Sequence, residues 1–207
     1  MLIPEIPSRY VPRCPADFIG DAGNYARLIE KLFKRAKKQN NASLRILLNG
    51  NPGLGKSALA RWMIEDLLGI SKFDTIKLNG TQINIETIED ICQRLQYRPM
   101  EGDYRAIWFE ECDAMSVPAQ KRILTMLDEL DDINGVVVVC TSNCKLREFE
   151  PRFQTRFTVM EFEPPKQAEV ETFLKNFIPN PDDVAAIAQR AYGNVRQALK
   201  DADLAIE

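Results

Sequence analysis

The run Gly50-Asn51-Pro52-Gly53-Leu54-Gly55-Lys56-Ser57 constrains this chain more than any other stretch. It has the G-x-x-x-x-G-K-[ST] spacing of a phosphate-binding loop. The apolar stretch Leu44-Arg45-Ile46-Leu47-Leu48 before it reads as a strand, and the stretch from Ser57 to Ile64 reads as a helix. Its glycines let the backbone curl until successive N–H groups face one point, where phosphate oxygens can be held. The helix start behind it adds orphan amides and a favourable dipole. Asn51, Pro52, Gly53, Leu54, Gly55, Lys56, Ser57 and Ala58 are therefore expected to wrap a nucleoside triphosphate. Lys56 would reach the β- and γ-phosphates, and the Ser57 hydroxyl would ligate Mg2+.

The rest of the pattern supplies a scaffold for such a loop. From about Ala22 to Lys38, Tyr25, Leu28, Ile29, Leu32 and Phe33 recur at helical spacing. Strands are predicted at Leu44–Asn49, Thr75–Leu78, Ala106–Phe109, Val136–Cys140 and Phe157–Phe162, with helices near Ile85–Leu95 and Pro118–Leu130 between them. Val136-Val137-Val138-Val139-Cys140 is apolar throughout, as a parallel strand covered on both faces should be. The alternation predicts an α/β fold, a parallel five-stranded sheet flanked by helices. Pro164-Pro165 breaks the pattern, and helices follow at Ala168–Phe177, Asp182–Tyr192 and Val195–Ile206. The expected division is a nucleotide-binding core over 1–163 and a three-helix lid over 164–207. Residues 1–20, with Pro4, Pro7, Pro12 and Pro15, read as an extended arm.

The third strand runs into Glu110-Glu111-Cys112-Asp113. Acids at the carboxyl end of a strand lie where ligands sit in open α/β sheets. One carboxylate can hold Mg2+ through water while its neighbour orients or deprotonates the attacking water. The chain has no histidine, so histidine base chemistry and His-based zinc catalysis are excluded. Five cysteines contain no C-x-x-C pair, which speaks against a zinc ribbon. A net charge of −3 speaks against a protein that coats nucleic acid by bulk charge.

This arrangement resembles the AAA+ ATPases, and within them the clamp-loader subunits. The third strand with its acids is similar to their Walker B box. Thr141-Ser142-Asn143 resembles sensor 1, whose Asn helps place the attacking water. Gln154-Thr155-Arg156-Phe157 looks like the segment that carries their arginine finger, with Arg152 a competing residue in the same loop. Gly193-Asn194-Val195-Arg196-Gln197-Ala198-Leu199 is similar to their sensor 2 helix. Tyr10-Val11-Pro12 and Asp17-Phe18-Ile19-Gly20 resemble the segments bordering the adenine pocket, and Leu78-Asn79-Gly80-Thr81 the strand end where a polar residue restrains the catalytic Glu. The resemblance implies catalytic roles for Lys56, Glu111, Asn143, Arg156 and Arg196. It implies ATP contacts for the loop, Tyr10, Val11, Phe18, Ile19 and Arg196, with Ser57 and Glu110 toward Mg2+.

Two departures carry consequences. Glu110 stands where the family has Asp, which pushes the carboxylate outward by about 1.5 Å, a bond length. Slow hydrolysis is one expectation from that change. The helix after Walker B places Leu124 and Thr125 where clamp loaders carry an arginine pair, with Lys121 and Arg122 nearby. The function expected is ATP hydrolysis at subunit interfaces of a ring or open spiral, with the arginine supplied in trans, acting in DNA replication or a related DNA transaction. The alternative is an ATP-gated DNA- or protein-binding switch of the helicase-loader or transposition-regulator type. DNA, a replication protein or both are the expected partners. The absence of a signal peptide or membrane-length apolar run makes the expected location cytoplasmic, or nuclear in a eukaryote.

Overall fold

The computed structural model describes residues 9–38, 43–130 and 133–206, so the part of the expected arm before Arg9 lies outside the described residues. Five strands form one parallel sheet: β1 (Leu44–Gly50), β2 (Thr75–Asn79), β3 (Arg105–Glu110), β4 (Val136–Ser142) and β5 (Thr158–Phe162), in the order β2-β3-β4-β1-β5. All seven residues of β4 are buried, because this strand is central and helices cover both faces. The chain leaves β1 for the far edge at β2, steps back through β3 to β4, then jumps over β1 to β5. The strand order reverses between β4 and β1, where open α/β sheets leave a crevice at their carboxyl ends.

Alternating side chains along the strands feed two cores. On one face α1 (Gly20–Lys38) and α2 (Lys56–Trp62) cover Ile46, Leu48, Trp108, Val137 and Val139. On the other α3 (Ile85–Leu95), α4 (Val117–Glu129) and the short α5 (Pro151–Thr155) cover Leu47, Ile107, Phe109, Val138 and Cys140. Asn84 caps α3 by accepting from the Thr87 amide at 2.8 Å, and Ser116 caps α4. Past its seven residues α2 widens into a π turn, Met63–Leu67, which the apolar periodicity did not reveal.

A third apolar cluster lies under α6 (Gln167–Leu174), α7 (Pro181–Ala191) and α8 (Val195–Ile206), and Ile19 packs against it. The segment from Arg9 to Ile19 straps this bundle to the sheet. The Tyr10 ring meets Phe173 and Phe177 edge-on at 5.4 and 5.3 Å. The Arg13 carbonyl accepts from Trp62 Nε1 at 3.0 Å, while its guanidinium pairs with Asp66 in the π turn at 2.9 Å. Asp17 closes the strap's turn by accepting the amides of Arg13 and Cys14.

Candidate active site

A cavity of about 320 Å3 opens where the sheet, the strap and the helical bundle meet. The loop between β1 and α2 forms one wall, from Pro52 to Ala58. Tyr10, Phe18 and Ile19 from the strap form another, and Arg196, Leu199 and Lys200 from α8 close the side opposite. Glu111, Thr141 and Asn143 line it from the carboxyl ends of β3 and β4. The structure thus brings together in one cavity Tyr10, Phe18, Ile19, Glu111, Asn143, Arg196 and the loop residues Pro52 through Ala58. Asn51 and Val11 do not line it; both are exposed, and Asn51 contributes its carbonyl to the loop instead.

Gly53 is needed here on two counts. Its φ of +86° is left-handed, and a Cβ would overlap the Asn194 side chain. That close approach lets the Arg196 amide donate to the Gly53 carbonyl at 3.2 Å, tying α8 to the loop. Lys56 is 6% exposed, and its Nζ donates to the carbonyls of Gly50 and Asn51 at 2.6 and 2.7 Å. No carboxylate lies within ion-pair distance of it among the described residues. Burial pulls its pKa down to about 8; Asp113 and Glu111 oppose the fall and Arg196 adds to it. A buried cation held only by neutral carbonyls, behind a helix start, is a site waiting for an anion.

At the end of β3 the three acids separate. Glu111 takes a left-handed conformation (φ 52°, ψ 48°), at a cost on the order of 1 kcal/mol for a residue with a Cβ. Two bonds hold it: its amide donates to Thr141 Oγ1 at 3.2 Å, and Asn79 Nδ2 donates to its carboxylate at 3.1 Å. Gly80 permits the approach, since a Cβ there would strike the Glu111 carbonyl. Glu110 does not line the cavity: its carboxylate pairs with Lys77 of β2 at 2.8 Å, and that ammonium also lies 3.8 Å from the Trp108 ring centroid. Pairing between β2 and β3 sets Asn79 opposite Glu110, which brings Lys77 within reach. Asp113, which sequence reasoning gave no role, turns back to accept the Asn143 amide at 3.1 Å.

Arg156 lies elsewhere. It follows α5, beside the amino ends of β1 and β5, and pairs with Asp128 of α4 at 2.8 Å. Arg156 lies beside Leu44, and β1 runs six residues, about 20 Å of strand, from there to Gly50 where the loop begins, so Arg156 stands a strand's length from its own loop. Arg152 is exposed on α5 and forms no ion pair among the described residues. The helix that positions both is firmly seated: Phe149, Phe153 and Phe157 stack in the core, and Gln154 Nε2 donates to the Leu146 carbonyl at 2.8 Å. On α4, Arg122 turns inward toward Cys92 and Glu129, which leaves Lys121 as the exposed cation at that helix start.

The residues fit Mg2+ in the way that ion is bound beside phosphates. Among the described residues no cluster of three or more acidic or cysteine groups could cage a metal, whereas Mg2+ takes one or two protein ligands, water and phosphate oxygens. Ser57 lines the cavity next to Lys56 and can be one of those ligands. No described helix is long and apolar enough to cross a membrane.

Residues 46–164 match the ATPase family associated with various cellular activities (AAA). Among curated proteins none matches the sequence significantly. In fold the chain is similar to the RuvB Holliday junction branch migration motor of Thermotoga maritima, with a TM-score of 0.74 at 17% identity over 92% of this chain. A variant of the same protein gives a TM-score of 0.75 at 18% identity, again over 92% of the chain. The chain spans 63% of the length of these relatives.

Proposed function

The chain belongs to the AAA family of ATPases, and from that premise we propose that it is a clamp-loader-like subunit that hydrolyses ATP at interfaces between subunits. The observation that carries the reading is the separation between the cavity and Arg156. The cavity offers a phosphate loop, Lys56, Glu111, Asn143 and Arg196, yet the arginine suited to the γ-phosphate stands about 20 Å of strand away from it. Such an arginine serves a neighbour's site or none, and in related phosphoryl transfers an added arginine contributes about 10³–10⁵ in rate.

In this reading the loop amides and Lys56 hold the triphosphate, and Tyr10, Phe18 and Ile19 border the base, with Val11 at the rim. Glu111 takes the proton of the attacking water and Asn143 orients that water. Arg196 reaches the phosphates from α8, so nucleotide joins bundle to sheet. Ser57 and Glu110 are the residues that would hold Mg2+, which would supply positive charge against the charge that develops during phosphoryl transfer. Glu110 takes that role only by exchanging its contact with Lys77. DNA is the proposed client, in replication or a related transaction; the motif order supports this, and one similar protein is a branch migration motor.

A specific contact favours a second reading, in which ATP gates binding and hydrolysis merely resets it. Asn79 holds the Glu111 carboxylate, and a restrained base gives slow basal turnover. ATPase activity with and without primed DNA, followed alongside oligomer mass, tests both. Strong stimulation by DNA in an assembled state supports the loader; assembly with ATP but no stimulation supports the switch. An ATP-saturated monomer with full activity would overturn both.

A further inference from the structure

We propose that Asp113 is a positioning residue that sets Asn143 for water activation, an inference that rests on hydrolysis taking place in the cavity described above. The β3–β4 ladder ends at Phe109 and Cys140, yet the site is built from residues beyond it. Two side-chain bonds continue the pairing where the backbone stops. Thr141 Oγ1 accepts the Glu111 amide at 3.2 Å, and Asp113 Oδ1 accepts the Asn143 amide at 3.1 Å. The first fixes the residue placed as base, and the second fixes the residue placed to orient water.

The local chain geometry aims Asp113 at this task. The left-handed turn at Glu111 reverses the chain, and the tight turn Cys112–Ala114 closes with the Ala114 amide donating to the Glu111 carbonyl at 3.0 Å. That places a carboxylate three residues past the strand back against the end of β4. Asp113 makes no ion pair among the described residues, though its field reaches Lys56. Its one hydrogen bond among the described residues is to an amide that the ladder has left without a strand partner, and such charge-assisted bonds are roughly twice as strong as neutral ones. Asn143 lines the cavity and its carboxamide forms no hydrogen bond among the described residues. Its orientation is therefore inherited from its backbone, which Asp113 holds.

The test is a double-mutant cycle on the full chain, read as kcat, ATP affinity and the Asn143 amide signal in 15N spectra. Asp113→Ala is expected to lower kcat about 10- to 100-fold, as a displaced catalytic group does, with ATP affinity unchanged. Asn143→Ala should match it, and the double variant should be no slower than Asn143→Ala alone. Asp113→Asn keeps an acceptor at the same place and should retain most of the turnover, with the Asn143 amide proton shifted upfield but still protected from exchange. An Asp113→Asn chain as slow as Asp113→Ala would overturn the proposal, because charge and not the acceptor would then matter. Multiplicative losses in the cycle would overturn it as well. If the Ala variant does not fold, an Asn variant slowed about 10-fold or more, or one whose Asn143 amide loses its protection from exchange, overturns the proposal by itself. A native chain without turnover would sink the reading of the site itself, whereas a native chain matched by Asp113→Ala would sink only this proposal.

Discussion

Lys56 is the one buried cation among the described residues, and its surroundings set what its burial costs. Two carbonyls accept from its ammonium, no carboxylate forms an ion pair with it among the described residues, and burial pulls its pKa down to about 8 against the opposing fields of Asp113 and Glu111. Lys56→Met should therefore leave the melting temperature of the nucleotide-free protein unchanged or higher, since an apolar group of similar volume replaces a desolvated charge. The same variant should lose the stabilisation that ATP gives the native chain, about 2.7 kcal/mol at a hundredfold excess over Kd. Paired melts with and without nucleotide check both halves. Lys77 offers a complementary experiment. It holds Glu110 at 2.8 Å, so Lys77→Met should release that carboxylate and lower the Mg2+ concentration for half-maximal turnover several-fold. An unchanged Mg2+ requirement would remove Glu110 from the proposed metal partners.

At the scale of elements, one buried carboxylate holds an edge in place. Asp74, 3% exposed before β2, accepts the amides of Met100 and Glu101, both at 2.7 Å, and Arg105 lies 3.9 Å away while capping the carbonyls of Arg94 and Arg98. Burial by itself would raise its pKa, but the hydrogen bonds and Arg105 outweigh it and the net shift is downward. A carboxylate with a lowered folded pKa stabilises fully above its unfolded pKa and loses that contribution as pH falls through the folded one. Asp74→Asn should cost about 1–3 kcal/mol at pH 7, and the gap to the native chain should narrow in acid; urea unfolding at the two pH values measures it. The strands and long helices were legible in the sequence because period and length declare them. The helix α5 was not: five residues, Pro151–Thr155, show no repeat, and only the stacked phenylalanines reveal how it is seated. Nor could spacing show that Glu110 turns to Lys77 or that Asp113 returns to Asn143. Both follow from strand register and from the left-handed turn at Glu111, which a residue other than glycine seldom signals.

For the molecule as a whole, the phosphate loop and the bundle come together around one cavity, while α5 carries its arginines to the other end of the sheet. Sequence alone predicted both halves but not their distance, because that distance depends on β5 lying beside β1 in parallel. A molecule built this way presents a site at one end of the sheet and an arginine at the other, and the proposed head-to-tail assembly would join them. Turnover should then depend on protein concentration, and it should be restorable between two defective chains. The decisive measurement mixes Glu111→Gln, which keeps Arg156 but lacks the proposed base, with Arg156→Ala, which keeps the proposed base but lacks the arginine. Each alone should bind ATP and hydrolyse it at least about 100-fold more slowly than the native chain. The mixture should recover turnover toward about a quarter of the native level, the share of interfaces at which an intact site meets an intact arginine in a randomly mixed head-to-tail assembly. No recovery, in mixtures shown by mass to contain both chains, would contradict an active site shared between neighbours.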